Sequence, residues 1–74
     1  MTTKALVKTR YISELQSRYE FYTPGSRPLE LAKQAIDKAL SGQMKLKGDA
    51  WDATLKGCGL SPRITMAELA NLPE

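Results

Sequence analysis

"GDAWDATLKGCGLSPRITMAELANL", residues 48–72, fills a third of the 74-residue chain and holds its only Trp and its only Cys. Asp49 is placed to cap a helix that begins at Ala50. Trp51, Thr54 and Leu55 then fall within about one and a half helical turns. The run stops at Gly57-Cys58-Gly59, where glycine supplies the left-handed backbone that ends a helix. Beyond this turn two starts compete. Ser61 and Pro62 pair a capping side chain with a first-turn proline, whereas Thr65 and Glu68 spell a capping box that begins the last helix later. Either start gives a helix that ends near Leu72. Two short helices about a glycine turn outline a helix-turn-helix-like corner over residues 50–72.

A corner of this kind reads DNA when the start of its second helix reaches base edges and nearby cations hold phosphates. Ser61, Arg63 and Thr65 would be that first turn, and Lys45, Lys47 and Lys56 would add affinity that is independent of sequence. The charge pattern argues against this use. "PRITMAELANL" carries Arg63 and Glu68 as its only charges and spreads apolar side chains over most of its circumference. A groove-reading helix needs a polar outer face rich in Arg, Lys, Gln or Asn. Met66 and Leu69 therefore read better as a packed face, or as a contact for another protein.

Upstream, "GSRPLELAKQAIDKALSG" is the most regular element. Ser26 can cap, Pro28 suits the first turn and Gly42 can close the far end, which predicts a helix over residues 28–41. Leu29, Ala32, Ile36, Ala39 and Leu40 share one side, while Glu30, Lys33, Gln34, Asp37 and Lys38 form a near-neutral wet face. Residues 3–21 read two ways. Val7, Tyr11, Ile12, Leu15 and Tyr19 fall on one helical arc, but "TKALVKTRY" also alternates as a strand does. Ser13 and Gln16 have capping-box spacing, so a strand followed by a helix is the alternative. Its partner in a two-stranded ribbon would be "QMKLK", where Met44 and Leu46 alternate with Lys45 and Lys47. The helical reading is preferred. With "YTPGSRP" as a turn, it makes residues 4–41 a helical hairpin.

The expected fold is thus a single all-helical domain over residues 1–74, with a two-stranded ribbon as the minor alternative. At this size a chain buries only roughly 60% of its unfolded surface, so the core is thin and a homodimer that covers an apolar face is one route to stability. One Cys cannot close an internal disulfide, and a chain without His lacks the usual zinc set, so no metal or cofactor is expected. "MTTKALVKTRY" has no apolar run of signal-peptide length and no segment approaches a membrane span, which points to a cytoplasmic protein without a membrane partner.

Net charge is +3. The excess lies in residues 1–19, where Lys4, Lys8, Arg10 and Arg18 face Glu14 alone, and around Lys45 and Lys47. Such a surplus is ordinary for a globular domain and only weakly favours anionic partners. No His, activated nucleophile or glycine-rich phosphate loop is present, and Asp49 with Asp52 is explained by a helix N-terminus, so no enzyme activity is expected. The expected function is regulation by occupying the surface of a protein partner. Its candidate contacts are Tyr11 and Tyr19 on the first helix, Tyr22 just beyond it, and Met66 and Leu69 on the last. A dimeric DNA-binding regulator is the alternative.

Overall fold

The computed structural model describes residues 2–73 and contains four helices: α1 Thr3–Arg18, α2 Arg27–Leu40, α3 Asp49–Gly57 and α4 Met66–Ala70. No strand occurs among the described residues, so "TKALVKTRY" is helical and the ribbon does not form. Thr2 starts α1 by accepting the Ala5 N–H on its hydroxyl at 3.3 Å. The Lys4 N–H, another donor that a first turn leaves unpaired, reaches the Pro73 carbonyl at 3.0 Å. Ser13 lies inside this helix and caps nothing. Glu14 is clasped by Arg10 at 3.1 Å and by Arg18, one turn away on either side.

The loop after α1 turns the chain so that α2 packs back along it. Lys8 meets Asp37 at 2.8 Å, while Leu15 and Ala32 share a cluster at the turn end. This descending register is that of an antiparallel hairpin. Ser26 caps α2 through the Leu29 N–H at 3.3 Å, with Pro28 in the first turn. At its far end Gly42 has φ +79°. There the Gln43 N–H reaches the Lys38 carbonyl and the Gly42 N–H the Ala39 carbonyl, which is the Schellman closure. The same pair of bonds closes α3, from Leu60 to Leu55 and from Gly59 to Lys56.

The start of α3 differs from expectation. Gly48 occupies the capping position with no side-chain bond, and Asp49 is already the first helical residue. Its carboxylate and that of Asp52 lie in the first turn, where the helix dipole favours them. For α4 the later start prevails: Thr65 accepts the Glu68 N–H and donates its hydroxyl to the Glu68 carboxylate, both at 3.1 Å. The helix ends at Ala70, so only five residues follow the cap.

α3 packs on α1 and α4 packs on α2, while no Cα of α3 comes within 8 Å of a Cα of α4. Their side chains nonetheless meet in one core of Val7, Ile36, Ala39, Leu40, Trp51, Leu55 and Leu69. Thr54 enters the interior with its hydroxyl bonded to the Ala50 carbonyl at 2.7 Å, so its burial leaves no orphaned donor. No helix is long and apolar enough to cross a membrane among the described residues.

Candidate functional site

Two surfaces stand out. The first is the tip of the α1–α2 hairpin. α1 ends at Arg18, and Tyr19 adopts extended backbone at φ −133°, ψ 124°. The helical period therefore no longer decides where Tyr19, Phe21 and Tyr22 point. Their rings gather against one another, with centroids 5.4 Å apart for Tyr19 and Phe21, 4.5 Å for Phe21 and Tyr22, and 5.8 Å for Tyr19 and Tyr22. These are distances at which aromatic pairs stabilise one another. Tyr22 also packs on the Leu15 and Ala32 cluster, which anchors the group. Phe21 remains 57% exposed and Tyr19 40%. Sequence reasoning named Tyr19 and Tyr22 here but passed over Phe21, although its place beyond the last helical residue was a usable signal.

Tyr11 belongs elsewhere. It is half-buried and stands edge-on to Trp51, with ring centroids 5.5 Å apart at 86°. Burial first, and then the neighbouring Tyr22 and Tyr19, push its hydroxyl above the ordinary tyrosine range. Its ring packs against both core clusters, apart from the aromatic group at the tip. Leu69 is likewise a core residue at 4% exposure, packed with Trp51 and Leu55. Only Met66 of the expected α4 pair keeps a partly open side chain.

The second surface is a slot in the gap between α3 and α4. Residues 44–47, Ile64, Met66 and the largely buried Trp51 and Leu69 line it. Lys45, Lys47 and Thr65 line it, whereas Lys56, Ser61 and Arg63 do not. Three of the six residues proposed for DNA thus line this slot and three do not. Ser61 accepts the Arg63 N–H at 3.2 Å, which holds Arg63 in the turn before α4 and off any helix. The Thr65 hydroxyl is occupied by its cap. A recognition helix beginning at Ser61 is absent, because the chain does not become helical until Met66.

Burial pushes the Cys58 thiol up, against a smaller opposing pull from Arg10, so the thiolate that would react is disfavoured. Among the described residues no three His, Cys, Asp or Glu side chains gather as a metal site requires. The fold and its surfaces define a small four-helix domain with an aromatic tip and an open inter-helix slot. Compared with known protein families, curated proteins and solved structures, the chain matches none.

Proposed function

We propose that this chain is a small non-enzymatic regulatory protein of the cytoplasm that works by docking on a partner protein and occupying its surface. The observation that carries the reading is the cluster of tilted rings formed by the exposed Tyr19 and Phe21 with the half-buried Tyr22. Single apolar side chains on a surface are ordinary, but adjoining aromatic rings outside the core form the kind of patch that anchors a protein contact. Aromatic residues dominate binding energy at interfaces because they cover large areas with few rotatable bonds. Here the rings already brace one another and Tyr22 is tied to the core, so less freedom is lost on binding.

A DNA-binding reading has less support. The five residues of α4 offer no exposed basic face, and Glu68 sits in its first turn. The test is retention of a partner from lysate of the native cells on the immobilised chain, comparing wild type with the double variant Tyr19→Ser, Phe21→Ser. A protein held through high-salt washing by wild type and lost with the variant, at unchanged helix content by circular dichroism, is the expected result. Retention that ignores this variant overturns the reading. So does nucleic acid that is released by salt and lost when Lys45, Lys47 and Arg63 are changed to Ala.

A further inference from the structure

The slot between α3 and α4 carries chemistry that the aromatic tip does not use. Residues 44–47 form no hydrogen bond or ion pair with any described residue. The backbone donors and acceptors of "MKLK" are therefore not engaged by any described residue, which leaves them available to a docked chain. Lys45 and Lys47 stand on the same segment without a carboxylate partner among the described residues, and Asp52 is the one carboxylate that lines the slot. The space is about 130 Å³, close to the roughly 150 Å³ of a cavity that accepts a benzene-sized group. Its apolar lining at Trp51 and Leu69 suits an aliphatic side chain.

We propose that this slot docks an extended acidic segment of a protein, which pairs its main chain with residues 44–47. It seats one aliphatic side chain over Trp51 and brings carboxylates to Lys45 and Lys47. The inference rests on the reading of the chain as one that docks a protein, but it uses a face that shares no residue with the tip. Nucleic-acid phosphates would also meet the two lysines. They leave the apolar part of the lining unfilled, however, so a peptide that carries an aliphatic side chain between its carboxylates fits better.

The test uses the full chain and the capped synthetic peptide Glu-Leu-Glu-Val-Glu, with the emission of Trp51, the only Trp, as the readout. The expected result is a saturable emission change. Affinity should fall about tenfold or more when Lys45 and Lys47 are both changed to Glu, since two exposed charge pairs are lost and replaced by repulsion. Lys56→Glu should leave it unchanged. The tip variant Tyr19→Ser, Phe21→Ser should bind the peptide as wild type does, so failure of the tip reading and failure of the slot are seen separately. No saturable change at about 1 mM peptide, or a change indifferent to Lys45 and Lys47, overturns the proposal. Stronger binding of a duplex DNA that displaces the peptide overturns it in favour of phosphate recognition.

Discussion

Gly25 and Gly42 hold nearly the same positive φ, +81° and +79°, in very different surroundings. A side chain added at Gly25 meets nothing within 4 Å, whereas at Gly42 it comes within 3.1 Å of the Ala70 Cβ. Gly25→Ala should therefore lose only the left-handed penalty of about 1 kcal/mol. Gly42→Ala should lose about 2 kcal/mol or more, since the end of α2 is pressed on α4; urea unfolding of the two variants gives the comparison. Glu14 makes a second prediction. The side-chain bond from Arg18, with the further pull of Arg18 and Arg10 charges, holds its carboxyl below the ordinary value. A depressed folded-state pKa contributes stability above the unfolded value of about 4.5, and that contribution disappears as pH falls through the folded value. Glu14→Gln should flatten the acid limb of the stability curve and lower the curve above neutral pH without changing its slope there.

At this scale the glycines were legible in the sequence, because a left-handed helix end leaves few other choices. Phe21 and Leu69 were not. Whether Phe21 turns inward depends on where α1 ends, and whether Leu69 is covered depends on helices far away in sequence.

For the elements, local signals succeeded where one dominated and failed where two competed. α2 was readable because its cap, apolar stripe and closing glycine agree with one another. The start of α4 was ambiguous between Ser61 and Thr65, and the reciprocal bonds of Thr65 and Glu68 decided it. Thr65→Ala should then lose about 1 kcal/mol by thermal unfolding. Ser61→Ala, which removes only a turn bond to the Arg63 N–H, should lose a few tenths of that. Ser13 and Gln16 show the opposite failure: capping-box spacing also occurs inside a helix already started by Thr2. The strand reading of residues 3–11 failed for want of a partner, because residues 43–48 lead into α3 instead of pairing with α1.

Seen as a whole, the domain stands on a small interior. Val7, Ile36, Leu55 and Thr54 are its largest fully buried side chains, and the radius of gyration is 11.5 Å, close to the roughly 11 Å of a folded chain this long. Ile36→Ala should remove about 3 kcal/mol. That is a large part of the roughly 5 kcal/mol expected near the low end of domain stabilities, so circular dichroism should show a chain near its unfolding midpoint slightly above room temperature.

The all-helical class and the hairpin were legible because they follow from periodicity and turn residues. The relation of α3 to α4 was not, since it depends on which larger helix each one joins. The corner over residues 50–72 brings Trp51, Leu55 and Leu69 into one core, while α3 seats on α1, α4 seats on α2, and a slot lies between them. The proposed docking function rests on the tip and not on Arg63. The most direct test is an amide-resolved NMR titration of the isotopically labelled chain with the partner protein isolated on it. Docking through the tip predicts shifts concentrated at Tyr19, Phe21 and Tyr22. Shifts confined to Lys56 and residues 61–65, with the aromatic tip unmoved, would contradict it.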